Sequence, residues 1–300
     1  MNRKKVLFIM NPRSGTMQAA KLLSDILRRF SDSGYMTSVL MTTARGDATM
    51  FTETYAKDYD MLVVSGGDGT FNEAIDGLMN VELDMPIGYI PSGSTNDFAN
   101  GLGLPKTILE AAEKVTTGKE RILDIGEFNG RHFSYVASFG AFTSTTYTVP
   151  QNLKNILGHT AYILSGIKDI VNIHPIHAKI VTDKGTADEK MVEGDYLFGA
   201  VCNSTSVGGI IHLNEEYVDM NDGKMEVLLI KMPRDIIEMN AILGSMMIND
   251  LDTKHIDFFS AKNIEIEIDE GTHWTLDGEY EEGAKNIEIK TLESAIKIIC

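Results

Sequence analysis

The sequence predicts an α/β protein in two parts: a doubly wound, parallel-stranded domain over residues 1–128, followed by an antiparallel, β-rich domain over residues 129–300. Two observations carry the first part. Short apolar runs alternate with amphipathic helical stretches, as in βαβ units. Four of these runs end in polar or glycine-bearing turns, all at what such a sheet makes its carboxyl edge. A change of texture carries the second part. Beyond Gly126 most strand-like segments follow one another through tight turns, as antiparallel strands do.

Val6 to Met10 is a short apolar run of strand character, and Asn11-Pro12-Arg13-Ser14-Gly15-Thr16 turns the chain away from its end. Ala19, Leu22, Leu23, Ile26 and Leu27 then recur at helical spacing until Gly34 stops them. Residues 35–41 alternate as a second strand, Thr42-Thr43-Ala44-Arg45-Gly46-Asp47 is a polar turn, and residues 48–57 read as a helix. Met61-Leu62-Val63-Val64 is a third, buried strand. Ser65-Gly66-Gly67-Asp68-Gly69-Thr70 breaks it, and Phe71, Ala74, Ile75 and Leu78 open a helix whose other face carries Asn72, Glu73 and Asp76. Residues 86–91 form a fourth strand, leading into Ser92-Gly93-Ser94-Thr95-Asn96-Asp97 and another helix start. A helix over residues 106–117 and the run 121–126 complete this part.

The second part reads as strands at residues 131–139, 177–181, 196–203, 224–232 and 263–269. Asp183-Lys184-Gly185 and Asn221-Asp222-Gly223 are turns between them. Helical spacing interrupts the strands at residues 151–172 and again at 237–247. A last strand at residues 295–299 is open to either domain.

Composition narrows the function. The chain is 43% hydrophobic and 23% charged, ordinary for soluble globular material, and its 300 residues suit two domains. A formal net charge of -16 weighs against nucleic acid as a partner and repels anionic membrane unless a local basic patch overrides it. Two cysteines, Cys202 and Cys300, cannot build a disulfide framework, which points to a reducing cytoplasm. No run reaches membrane-spanning length, and the apolar run after Arg3-Lys4-Lys5 is too short for a signal peptide.

The glycine turn carries the first chemical hypothesis. A strand, a glycine-rich turn and a helix start present backbone N–H groups to phosphate. Three glycines in four positions permit positive φ and close approach of a ligand to the main chain. Asp68 sits among them, where a carboxylate could face a metal–water shell on a phosphate chain or simply cap the helix. The motif is neither a P-loop nor a dinucleotide fingerprint. Four such turns on one rim favour a nucleotide site.

Four motifs, in order and at suitable spacing, carry a resemblance. They are Asn11-Pro12-x-Ser14-Gly15, Gly66-Gly67-Asp68-Gly69-Thr70-x-Asn72-Glu73, Gly93-Ser94-Thr95-Asn96-Asp97-Phe98 and Leu276-Asp277-Gly278-Glu279. Together they resemble the soluble bacterial diacylglycerol kinases, whose catalytic domain is related to those of sphingosine and ceramide kinases and, through the Gly-Gly-Asp-Gly-Thr turn, of NAD kinases. The similarity runs essentially the whole length, including Tyr147-x-x-Pro150-x-x-Leu153-Lys154 and Asn221-Asp222-Gly223.

The resemblance implies an NAD kinase-like ATP-binding first domain, a β-sandwich second domain and catalysis in the cleft between them. Carried over, ATP is held by Asn11, Pro12, Arg13, Ser14, Gly15, Thr42, Gly66, Gly67, Asp68, Gly69, Thr70, Phe71, Asn72 and Ser94. Ser94 stands where closely related members have Thr. Glu279 matches the general base, with Asp277 beside it and Asp68, Asp97 and Asp124 in a supporting carboxylate network. Asp222, with main-chain carbonyls of Asp219 and Lys224, matches a structural Mg²⁺ site, although members often read Lys-Leu-Asp-Asp-Gly there. ATP and Mg²⁺ are thus the expected cofactors. The expected acceptor is a lipid alcohol, diacylglycerol first, met at the inner membrane face by a cytoplasmic protein in transient contact with it. Homodimer formation is left open.

Alternatives stay open on the residues alone. Asp277-Gly278 reads as a hairpin turn with a solvated glutamate, or, if extended, as two carboxylates sharing one face. Asn221-Asp222-Gly223 is equally an ordinary hairpin turn. The stretch 151–172, with Lys154 and Lys168 near its apolar stripe, could lie on a bilayer or pack on the second domain. His159 and His174 read as surface residues, and Trp274 as packing under the Asp277 turn. Another lipid alcohol, NAD, or a silent regulatory role are the rival functions.

Overall fold

The parallel sheet is built from β1 (Lys4–Met10), β2 (Tyr35–Met41), β3 (Met61–Gly66) and β4 (Pro86–Pro91), in the order β4-β3-β1-β2. The chain is described here from a computed structural model that covers residues 3–141, 174–207 and 211–300. In β1 the side chains alternate across the sheet, as the strand period of two requires. Val6, Phe8 and Met10 join Ile26, Phe30, Ala111 and Val115 on one face. Leu7 and Ile9 join Ala48, Phe71 and Ile75 on the other. Helices therefore cover both faces: α1 (Gln18–Lys21), α2 (Leu23–Asp32) and α6 (Ile108–Thr117) on the first, α3 (Asp47–Tyr55) and α4 (Asp68–Asn80) on the second. The short α5 (Asp97–Gly101) follows β4.

Several helix starts differ from the sequence reading, and caps explain two of them. The helix expected over 106–117 begins at Ile108, because Thr107 caps it: its hydroxyl oxygen accepts from Glu110 N–H and donates to the Glu110 carboxylate. The helix read from residue 237 begins at Ile236, because Asp235 accepts from the N–H groups of Ile237 and Glu238. This helix, α7 (Ile236–Met247), covers the second domain with Met239 and Ile242 buried.

The second domain is antiparallel and β-rich, as expected. The run 121–126, expected to close the first part, is β5 (Glu120–Phe128) and pairs antiparallel with strands of the second. The other strands are β6 (Arg131–Phe133), β7 (Val136–Gly140), β8 (Ile176–Thr182), β9 (Lys190–Cys202), β12 (Met225–Lys231), β13 (Ile256–Ala261), β14 (Asn263–Ile268), β15 (Trp274–Leu276), β16 (Glu279–Glu281) and β17 (Asn286–Ile299). A small separate ribbon pairs β10 (Ser206–Val207) with β11 (Ile211–His212). The single strand expected over 131–139 is two, β6 and β7. Between them Ser134, Tyr135 and Val136 turn their N–H groups to the Asp277 carboxylate.

Among the described residues the main strands form one hydrogen-bonded network across both domains. β9 pairs with β8 through its first half and with β7 and β12 through its second, so the sheet folds over. Within the fold lies a core of Phe128, Phe133, Phe139, Ile266, Ile289 and Trp274. Trp274 is fully buried, with its ring 5.0 Å from Phe128 and 4.8 Å from Phe139, and so packs beneath the β15–β16 hairpin.

β17 ties the two domains together. It pairs with β14 through Asn286–Lys290, with β5 along most of its length, and with β4, in parallel, at Lys297 and Ile298. The sequence showed only residues 295–299 because a bulge interrupts the strand: Ser294 has φ 52 and gives its N–H to Asp124 rather than to the ladder. The motif from Tyr147 to Lys154 and the stretch 151–172, with His159 and Lys168, lie outside the described residues. His174 is exposed.

Candidate active site in the cleft between the domains

The four turns meet at the carboxyl edge of the parallel sheet. Asn11 N–H bonds Ser65 C=O at 2.8 Å, Thr42 N–H bonds Met10 C=O at 2.9 Å, and Ser92 N–H bonds Gly66 C=O at 2.8 Å. Side chains join them further. Asn11 Nδ2 donates to Thr70 Oγ1 at 3.2 Å, and the hydroxyls of Ser14 and Ser92 lie 2.6 Å apart. Gly15 sits in the left-handed region at φ 51, with its α-carbon against Ser92 C=O, where a side chain would collide. Arg13 and Ser94 are exposed at this rim, and Pro12 is half-buried beside it.

The glycine turn works by contact rather than by positive φ, which corrects the expectation from sequence. None of Gly66, Gly67 and Gly69 has positive φ. A methyl group on Gly66 would meet Thr70, Gly67 packs on Gly93, and a methyl group on Gly69 would meet the carboxylate of Glu279. Gly67 precedes α4 with no side-chain cap among the described residues, and the first-turn N–H groups of this 13-residue helix have no acceptor within the helix. They form an anion-attracting end.

Asp68, in that first turn, reaches across to α5. It accepts from Asp97 N–H at 3.1 Å and Phe98 N–H at 3.3 Å, bracing the start of a second helix. Burial pushes its carboxyl above the usual range, and those backbone donors pull it partly back. Phe71 stacks on Tyr89 and Phe98 at 4.3 and 4.7 Å, so its side chain is core and only its main chain belongs to the turn. Asp97 is buried at the head of α5.

Asp277 and Glu279 part ways. The segment is not extended: Asp277 (φ 51) and Gly278 (φ 81) form the two-residue hairpin turn between β15 and β16, with positive φ at both positions as a type I′ turn has. Asp277 points inward. It accepts from Ser134, Tyr135 and Val136 N–H at 2.6 to 3.0 Å and from Asn72 Nδ2 at 2.7 Å. Burial raises its pKa to about 6, against the pull of those donors. A metal bound by Asp277 would have to replace those bonds, so here the carboxylate holds the hairpin.

Glu279 points into the cleft. Its Oε2 accepts from Arg45 Nη2 at 2.8 Å and Arg131 Nη2 at 3.5 Å, and its Oε1 overhangs Gly69. Arg131 also pairs with Glu281. The cavity beside Glu279 is about 160 Å³ and is lined by Arg45, Gly69, Asn72, Glu73, Asp76 and Arg131 among others. Glu73 accepts from Gly46 N–H and Ala48 N–H at 2.8 and 3.2 Å, capping α3 from α4. Burial raises its pKa, and Glu279 nearby adds to this. Arg45 and Arg131 were not singled out from sequence: Arg45 lies within a recognised turn and Arg131 opens a strand, yet nothing local shows which carboxylate each meets.

Asp124 lies away from the cavity. It is buried and accepts from Gly223 N–H at 2.7 Å and Ser294 N–H at 2.6 Å, so it fixes the turn after Asn221 and the bulge of β17. At that turn Asp219 accepts from Asn221 N–H at 3.2 Å and Asp222 from Lys224 N–H at 3.0 Å. One oxygen of each carboxylate stays available, a hard-oxygen set of the kind Mg²⁺ takes. Among the described residues no three acidic, His or Cys side chains gather closely enough to hold an ion unaided. A cation here would therefore rely on main-chain carbonyls or water, and Lys224 could offer only its carbonyl.

Comparison with known proteins shows the family and the fold. The diacylglycerol kinase catalytic domain family matches residues 5–128. A diacylglycerol kinase of Bacillus subtilis (strain 168) is 34% identical over 279 residues, covering 92% of this chain and 90% of that protein. A diacylglycerol kinase of Staphylococcus epidermidis (strain ATCC 12228 / FDA PCI 1200) is 30% identical over 281 residues, covering 93% and 86%. The crystal structure of a diacylglycerol kinase from Bacillus anthracis str. Sterne superposes with a TM-score of 0.76 at 25% identity, over 100% of this chain and 97% of that one. A second crystal structure from the same organism gives 0.82 at 27% identity, over 100% and 96%.

Proposed function

The chain belongs to the diacylglycerol kinase family, and on that premise we propose that it transfers the γ-phosphate of ATP to the free hydroxyl of diacylglycerol, giving phosphatidic acid. The observation that carries this reading is Glu279 Oε1 lying over Gly69, which sets a carboxylate beside a phosphate-binding helix start. In this reading the first-turn N–H groups of α4 bind the phosphates, while Asn11, Ser14 and Thr42 shape the rim around the nucleotide. Glu279 Oε1 takes the proton of the acceptor hydroxyl as its oxygen bonds the γ-phosphorus. The bond between that phosphorus and the β,γ-bridging oxygen breaks, ADP departs, and the proton passes from Glu279 to solvent. Phosphoryl transfer rests on positioning and charge neutralisation, and a bound Mg²⁺ would supply part of the neutralisation. Asp68 and Asp277 act by holding α5 and the hairpin in register with the cavity.

The acceptor is a membrane lipid. Among the described residues no helix is long and apolar enough to cross a membrane, and the net charge of -16 favours brief contact with anionic bilayers.

The test is transfer of labelled γ-phosphate from ATP, with Mg²⁺, to diacylglycerol, a sphingoid base, phosphatidylglycerol, undecaprenol and NAD presented side by side. Label in diacylglycerol is expected. Label in another lipid alcohol would keep the kinase and change the acceptor. Label in NAD alone, or in none of them while ATP binds, would contradict the proposal.

A further inference from the structure

We infer that Arg45 is a positioning residue for Glu279, an inference that rests on the proposed role of Glu279 as base. The two oxygens of Glu279 are distinguished by their surroundings. Oε2 receives Arg45 at 2.8 Å and Arg131 at 3.5 Å, whereas Oε1 overhangs Gly69 at the head of α4. The guanidinium groups thus occupy one oxygen and turn the other toward the place where phosphate and hydroxyl would meet.

The two arginines are not equivalent. Arg131, on β6, is shared between Glu279 and Glu281. Arg45 makes the shorter contact to Glu279, and its side chain is 66% exposed. Its backbone is nevertheless well anchored. The turn that carries it begins with Thr42 N–H on Met10 C=O, is braced inside by Asp47 accepting from Thr43 N–H and Ala44 N–H, and is held by Glu73 of α4 through Gly46 N–H. Glu73 lies one helical turn beyond Gly69. Arg45 therefore carries the position of the glycine turn to a carboxylate 234 residues away. A part-exposed ion pair contributes little stability, so its effect falls on the geometry of Glu279.

The experiment is a double-mutant cycle on lipid phosphorylation, using Arg45→Met, Arg45→Lys, Glu279→Gln and Arg45→Met with Glu279→Gln, each checked by thermal melting. Arg45→Met is expected to lower kcat about tenfold with the KM for ATP within about twofold and an unchanged melting temperature. Arg45→Lys should recover part of the loss, since an ammonium restores charge but not the planar fork. In the Glu279→Gln background Arg45→Met should cost nothing further. A raised KM for ATP at unchanged kcat, or an equal loss in both backgrounds, would overturn the proposal and make Arg45 a phosphate contact. Wild-type kcat in Glu279→Gln would overturn the base assignment and the proposal together.

Discussion

Asn72 donates its side-chain amide to Asp277 across 2.7 Å, although 205 residues separate them in the chain. Asn72 lies in the second turn of the helix that follows the glycine turn, and Asp277 lies in the hairpin that presents Glu279. One hydrogen bond thus ties the hairpin of Glu279 to the helix of the glycine turn, and both partners are buried. Around it, three backbone N–H groups converge on the same carboxylate.

Asp277→Ala should therefore destabilise the protein strongly. It would leave the N–H groups of Ser134, Tyr135 and Val136 and the amide of Asn72 without an acceptor, and each unsatisfied buried group costs about 1–3 kcal/mol. A loss of at least about 3 kcal/mol is expected by urea unfolding. Asn72→Ala should add little in that background, because its partner is already gone. A loss below about 1 kcal/mol would show that the hairpin does not depend on this carboxylate.

Gly69→Ala should separate activity from stability. Gly69 is the second residue of α4 and lacks positive φ, so alanine fits its backbone and favours folding by roughly 0.4–1 kcal/mol, yet its new methyl group would meet the Glu279 carboxylate. The expected variant melts no lower than the wild type and transfers phosphate at least about tenfold more slowly. Wild-type transfer by this variant would show that Glu279 does not need its place over Gly69.

Asp68→Ala should abolish phosphate transfer in a protein that still folds, since α5 loses the carboxylate that receives Asp97 N–H and Phe98 N–H. Circular dichroism checks the fold and labelled ATP the transfer. Near wild-type turnover would remove Asp68 from the site.

Glu226 gives a pH dependence of stability. It is 1% exposed on β12, its Oε2 has no hydrogen-bond partner among the described residues, and burial, with Asp222 and Asp219 nearby, raises its pKa from 4.5 to about 8. The folded state then binds this proton more tightly than the unfolded state. Its stabilising contribution is full below about pH 4.5 and is lost as the pH rises through about 8. Glu226→Gln should flatten the fall in stability between those values, by a few kcal/mol at most at about 1.4 kcal/mol per unit. Parallel urea-unfolding profiles for the two proteins across that range would contradict it.

Local signals made much of this legible in the sequence. Each parallel strand is a short apolar run and each turn at its end holds polar residues or glycine, so the rim of four turns could be read without any long-range information. The hairpin at Asp277-Gly278 was also readable, since that dipeptide favours positive φ, but placing both carboxylates on one extended face missed it. The glycines of the 66–69 turn were read for backbone freedom, whereas they serve close approach to Thr70, Gly93 and Glu279. Such contacts depend on distant parts of the chain, and no local pattern encodes them. The same holds for Arg45 with Glu279 and for Asp124, whose partners Gly223 and Ser294 come from two other elements.

The measurement that bears most directly on a carboxylate base in this cleft is single-turnover transfer by Glu279→Gln, with ATP affinity measured on the same protein. The expected result is a rate at least about 10²-fold lower with ATP affinity within about twofold of wild type. If ATP binding collapses instead, and the rate per bound ATP is unchanged, Glu279 holds nucleotide and is not the base.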